Sequence, residues 1–373
     1  MVQAQVVVPS AEHDTTINGT TILVSTATTT TNNNNINNNV SRYFQKTHQW
    51  VAIKMDRRSN MRHLHHGTQA PSENPWKEVA ALEMLGNATR STNTRQRGKF
   101  SDNEGHVKNN TDNDDKRDDE EEYEPQMHDE DHHVVSLLDA LVDDSYLYEM
   151  LPYYGGGSLH DVIRLHESPR GRFNEARARH YFLQLLQAIH FLHSHGVCHR
   201  DISTHNLMVD KEHGDQLYLI DFGMCLRIPY SYPDDDTTED VTDISAGTIR
   251  RLIRTQHHCG KLRFMAPEMY QGKDFDALAV DLWSAAVVLF VMLTGRPPYG
   301  KPEIRSDAGF YDLMDAHFYW DAEKVPQAFS WGCTVSNDAI DLLHRMFQYN
   351  PQDRLTLAQV MEHPWLQNSA LKL

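Results

Sequence analysis

The chain has 373 residues, 39% of them hydrophobic, and a formal net charge of −17. That apolar content excludes a mostly disordered protein and suits one large core or two lobes. Fourteen acidic and three basic residues lie between Ser101 and His132, so −11 of the charge is local, and no cluster of Lys and Arg offers a nucleic-acid surface.

The start, MVQAQVVVPSAEHD, lacks the basic and apolar pattern of a secretory signal, and residues 1 to about 16 read as a loose tail. Thr28 to Asn39 is a Thr/Asn tract of low complexity. Val51 to Met55 is β-branched at alternate positions and predicts a strand. Asn74 can cap a helix and Pro75 suits its first position, while Gly86 suits the residue just past its end. The expected helix therefore spans three turns, with Trp76, Val79 and Ala80 on one face and Leu82 at its edge.

Residues 87 to about 131 are polar and acidic, which predicts a disordered, solvated insertion open to a basic peptide partner. His133 to Leu141 and Ser145 to Leu151 read as strands ending in the loop Pro152 to Gly157. Downstream, Phe182, Leu185, Leu186, Ile189 and Leu192 repeat at helical spacing. Leu282 to Leu293 is apolar on nearly every face but falls short of the roughly 20 residues of a membrane span, so a buried helix and no membrane association are expected. The four cysteines have no close paired spacing, which implies reduced thiols and a cytoplasmic or nuclear setting.

Phosphoryl transfer needs cations for the triphosphate, oxygen ligands for a metal and a carboxylate to orient the attacking hydroxyl. Val51-Ala52-Ile53-Lys54, His199-Arg200-Asp201 with Asn206, Asp221-Phe222-Gly223 and Ala266-Pro267-Glu268 follow one another in that service. In these motifs the chain resembles the eukaryotic protein kinases, from about Ile17 to Leu366. The resemblance implies an α+β bilobal fold, with a small β-rich N-lobe over residues 17–151, a larger helical C-lobe over 155–366 and a short tail over 367–373.

It further implies ATP and Mg²⁺ as cofactors and protein substrates as partners. Lys54 resembles the phosphate-gripping lysine and Glu78 its ion-pair partner, Asp201 the catalytic base, and Asn206 and Asp221 the metal ligands. Val40, Ala52, Met208 and the run Leu151, Tyr153 and Tyr154 fall where the family lines its nucleotide pocket. Phe222, His199 and Leu82 resemble a spine between lobes, Glu268 and Arg354 a buried ion pair, and Asp281 the anchor of the catalytic loop. The segments Val291 to Gly295 and His363-Pro364-Trp365 are similar to the calmodulin-dependent and AMP-activated group, which implies Ser/Thr specificity.

Two departures stand out. The glycine-rich phosphate loop is missing, and counting back from Val40 places its glycines on Asn33, Asn35 and Asn38, where positive φ is tolerated but side chains crowd a nucleotide. Ser203 stands where the family has a catalytic-loop lysine, and Lys261 stands where it has a threonine. The reciprocal pattern implies an exchange, with Lys261 supplying the cation and Ser203 the hydroxyl. A pseudokinase scaffold is the alternative to catalysis. The sequence gives no oligomeric state.

Overall fold

The strand read at Val51 is the central one of a five-stranded antiparallel sheet. The computed structural model describes residues 16–17, 20–24, 51–57, 74–97, 132–166, 172–212, 214–228, 240–243, 248–253, 259–314 and 335–367. In chain order the first lobe contains β1 (Thr16–Ile17), β2 (Thr20–Val24), β3 (Val51–Arg57), α1 (Pro75–Arg97), β4 (Asp139–Val142) and β5 (Tyr146–Pro152). The sheet order is β1-β2-β3-β5-β4. Ile17 pairs with Thr20, so the connection is the two residues Asn18 and Gly19, a dipeptide that favours tight hairpins.

Alternation along β3 and β5 gives the sheet two unlike faces. Val51, Ile53, Tyr148 and Met150 form an apolar cluster on one. On the other, Ala52 pairs with Leu151, Lys54 with Glu149, and Asp56 with Leu147. Leu147 packs on Val79 of α1, so the charged register faces that helix.

The second lobe continues with α2 (Leu159–Arg164), α3 (Glu175–Ser194), β6 (Val197–Cys198), β7 (Leu207–Asp210), β8 (Gln216–Leu219), β9 (Leu226–Arg227), β10 (Asp240–Asp243) and β11 (Thr248–Arg251). It ends with α4 (Pro267–Tyr270), α5 (Ala277–Thr294), α6 (Ala308–Met314), α7 (Asn337–Met346), α8 (Leu357–Met361) and α9 (Pro364–Gln367). Asp276 caps α5 through the Leu278 amide, and Gly295 closes it at φ 80°, a left-handed conformation that glycine adopts without a Cβ penalty. By length and composition α5 could cross a membrane, yet 94% of it is buried, as expected of a core helix. Arg354 meets Glu268 at 2.9 and 3.2 Å and lies over the Trp283 ring, so its buried charge is compensated.

Three expectations need correction. The first helix does not stop at Gly86 but runs to Arg97, because Asn87 to Arg97 contains no Pro or Gly to break it. Its buried face is Glu78, Val79, Ala81, Leu82 and Leu85, with Trp76 and Ala80 exposed, since the helix is rotated to turn Glu78 inward. Residues 133–138 are not part of a strand, although Val134 bridges to Leu219. Val40, the Asn33 to Asn38 positions and the acidic run from Ser101 to Asp131 lie outside the described residues.

The helical path through Gly86 is testable, because a Cβ there meets nothing within 4 Å. Gly86→Ala should raise stability in urea denaturation by about 0.5–1 kcal/mol. A loss of stability would instead indicate a left-handed helix end at that residue.

Candidate active site

The loop from His199 to Asn206 lies between β6 and β7, and Ile220 and Asp221 follow β8, so pairing of β7 with β8 brings the two segments together. Ile220 N–H donates to the Asn206 carbonyl at 3.0 Å. Asp281 of α5 accepts from the backbone N–H of His199 and of Arg200 at 2.9 Å each, and from His193 Nε2 at 2.9 Å. Burial alone would raise the Asp281 carboxyl pKa, but the His193 hydrogen bond and charge, with His199 and the Arg200 amide, hold it below its ordinary value.

That anchor holds Arg200 at φ 66°, a conformation disfavoured for a residue with a Cβ. Asp221 has φ 69°. The two unfavourable backbones flank the chemistry and persist because their surroundings fix them. His199 donates from Nε2 to the Ile220 carbonyl at 3.1 Å, so its Nδ1 is the acceptor for the Asp201 amide at 3.3 Å. Its ring meets Phe222 edge-on at 4.9 Å between centroids, and Phe222 and Leu82 belong to the same buried cluster.

Lys54 of β3 and Glu78 of α1 form an ion pair, and Lys54 Nζ lies 3.6 Å from Asp221 Oδ1. The other Glu78 oxygen accepts from the Phe222 amide at 3.2 Å, and the Asn74 amide at the start of α1 donates to the Gly223 carbonyl at 2.9 Å. The first turn of the helix is thus tied at two points to Asp221-Phe222-Gly223. Burial works to lower the Lys54 pKa, but the carboxylates of Glu78, Asp221, Glu149 and Asp56 reverse that and hold it well above its ordinary value.

On the opposite side, Asp201 Oδ2 accepts from Asn206 Nδ2 and from Lys261 Nζ, both at 2.8 Å. Asp201 Oδ1 accepts from the Lys261 backbone N–H at 3.0 Å, and Lys261 Nζ also reaches Asn206 Oδ1 at 3.3 Å. Gly260 makes this approach feasible: it has φ 89°, and a Cβ there would lie 2.6 Å from the Arg200 carbonyl oxygen. Arg200 itself donates to the Met224 carbonyl at 2.8 Å and to Cys259 Sγ at 2.9 Å.

Lys261 therefore reaches the catalytic loop, whereas Ser203 does not take the complementary part. Its hydroxyl is buried and has no hydrogen-bond partner among the described residues, so only one half of the expected exchange is formed. Of the pocket residues, Ala52 and Leu151 face each other across β3 and β5, and Met208 lies half-buried on β7. Tyr153 is exposed. Tyr154 is buried and stacked on Tyr218 at 4.3 Å, which commits its ring to the second lobe, and its carbonyl accepts from the Gly157 amide at 3.4 Å.

Sequence reasoning missed Glu149, which is fully buried, with neither carboxylate oxygen hydrogen-bonded among the described residues. The available signal was a single charged residue inside the apolar run Tyr146-Leu147-Tyr148-Glu149-Met150-Leu151.

The family model described as "Protein kinase domain" matches residues 99–366, which contain the catalytic loop, Asp221, Lys261 and α5 but not β3 or α1. The chain is 34% identical over 235 residues to CBL-interacting protein kinase 22 of Oryza sativa subsp. japonica, covering 63% of this chain and 45% of that protein. It is 29% identical over 233 residues to CBL-interacting serine/threonine-protein kinase 18 of Arabidopsis thaliana, covering 62% and 38%. It is 31% identical over 234 residues to SNF-related serine/threonine-protein kinase of Rattus norvegicus, covering 63% and 26%. The matched part spans less than half the length of each of these relatives.

Because the Ser203 hydroxyl is buried without a partner among the described residues, Ser203→Ala removes a desolvated polar group and leaves only a small void. Its stability in urea should stay within about 0.5 kcal/mol of the parent or exceed it. A loss of about 1.5 kcal/mol or more would mean that the hydroxyl has a structural partner.

Proposed function

The chain belongs to the protein kinase family, and from that premise we propose that it transfers the γ-phosphoryl group of ATP to Ser or Thr hydroxyls of other proteins. The observation that carries the reading is the Asp201 carboxylate, held between Lys261 and Asn206, with the Asn206 carbonyl bonded to the amide of Ile220, the residue before the Asp221 that Lys54 approaches. Such positioning and charge stabilisation are most of what phosphoryl transfer asks of a protein.

Asp201 orients the acceptor hydroxyl and takes its proton as the new P–O bond forms and the bond to the ADP oxygen breaks. Lys54, held by Glu78, meets the α and β phosphates. Lys261 lies beside the attacking oxygen and, having an ammonium within 2.8 Å of Asp201, offsets negative charge where the γ-phosphoryl group passes. The Asp221 carboxylate and the Asn206 amide oxygen are hard donors that suit Mg²⁺, and two protein ligands leave room for phosphate oxygens. Bound there, the metal would neutralise the phosphate charge. Ala52, Leu151 and Met208, with the backbone at Tyr153 and Tyr154, would receive the adenine.

The names of the relatives support the Ser/Thr assignment. A scaffold has no chemical need for Lys54, Asp201, Asn206 and Asp221 together, so the catalytic reading is the better supported. The test is transfer of labelled γ-phosphate from ATP and Mg²⁺ to a mixture of Ser and Thr peptides. The parent chain should label the peptides, Asp201→Asn should lower kcat by about 10²–10⁴-fold, and Lys261→Ala by about 10–100-fold. No labelling by the parent chain would overturn the function, while full activity of Lys261→Ala would remove that lysine from the mechanism.

A further inference from the structure

The sheet face that presents Lys54 to α1 contains one ammonium and several carboxylates. Glu149 stands directly across from Lys54 in the β3–β5 ladder, and Asp56 lies two residues along β3 on the same face. Glu78 enters from α1 and Asp221 from the segment after β8. On the remaining side, β4 places Ala140 opposite Glu149, which adds no titratable group. Four carboxylates thus surround one lysine whose bonds are made with Glu78 and Asp221.

Glu149 is left over. It is 0% exposed, and both of its oxygens lack a hydrogen-bond partner among the described residues. An ionised carboxylate in that condition costs several kcal/mol, and a buried group usually avoids the cost by neutralising itself. The one cation at hand, Lys54, is already engaged by Glu78 and Asp221, so the geometry offers a proton as the neutralising species.

We propose that Glu149 is a positioning residue for Lys54: a buried carboxylic acid that leaves the lysine to Glu78 while it holds its proton, and competes for that lysine once the proton is lost. The cross-strand register supplies the reach, and the missing partners supply the motive. Burial, with the like charge of Glu78, raises the Glu149 pKa from 4.5 to about 9 against the opposing pull of Lys54, so the acid form persists through neutral pH. Asp56 and Asp221 push it in the same direction as Glu78.

The functional half of this proposal rests on the kinase reading, but protonation can be tested without it. The unfolded chain releases the Glu149 proton near its ordinary value of 4.5, whereas the folded protein retains it to about 9. Stability contributed by the bound proton is therefore complete at low pH and is lost as pH rises through that window.

Urea denaturation of the nucleotide-free protein, Glu149→Gln and Glu149→Met should be followed from about pH 6 to about pH 8. Relative to either variant, the folding equilibrium constant of the parent should fall by about tenfold per pH unit. A ratio independent of pH would overturn the proposal, and the Met variant keeps the test open if a buried Gln amide impairs folding. In the second arm, the KM for ATP should rise above about pH 8 in the parent more steeply than in either variant. Parallel KM profiles would overturn the competition for Lys54. A parent chain without activity would count against the kinase reading alone, since the urea arm needs no ATP.

Discussion

The ion pair between Lys54 and Glu78 fixes α1 against the sheet of the first lobe, and the second Glu78 oxygen ties that helix to Phe222 of the second lobe. A buried ion pair is ordinarily a poor source of stability, because desolvation of both charges offsets their attraction. Here the pair is held by geometry on every side: Lys54 lies on the central strand, Glu78 is in the first turn of α1, and its second oxygen holds the Phe222 amide. Moving α1 away would break the ion pair and both backbone bonds to Phe222 and Gly223, leaving Lys54 among carboxylates that no longer include its best partner. The pair therefore contributes a specified position more than net stability.

A second ammonium occupies the other side of the site. In the resemblance to kinases the catalytic-loop cation belongs on the loop itself, at the position that Ser203 fills. The fold instead brings Lys261 in from the segment before α4, across a glycine that allows it to pass the Arg200 carbonyl. Asp281 supports that arrangement from beneath by fixing two successive amides of the loop and, with them, the positive φ of Arg200. Charge at the site is set by which backbone can approach closely as much as by which side chains are present.

Much of this was legible in the sequence because it depends on local spacing. The alternating apolar residues around Lys54, the cap at Asn74 and the wholly apolar α5 each declare an element from its own residues, and the separated motifs ordered the site. The hairpin of β1 and β2 also carries a local signal, the Asn18-Gly19 dipeptide between Thr- and Ile-containing segments. Other features were hidden because they are tertiary. The facing of α1 is decided by where Lys54 stands, a Gly86 that would suit a helix end is carried within a longer helix, and the isolation of Glu149 and Ser203 depends on what surrounds them.

The most direct test of the central pair is a double-mutant cycle on kcat/KM for ATP, with Lys54→Met and Glu78→Gln made singly and together. If Glu78 acts by positioning Lys54, each single change will be costly, and the double variant will be no worse than Lys54→Met alone, which corresponds to a coupling of about 1–3 kcal/mol. Losses that simply add, within about 0.5 kcal/mol, would show that the two side chains act independently and would contradict the account.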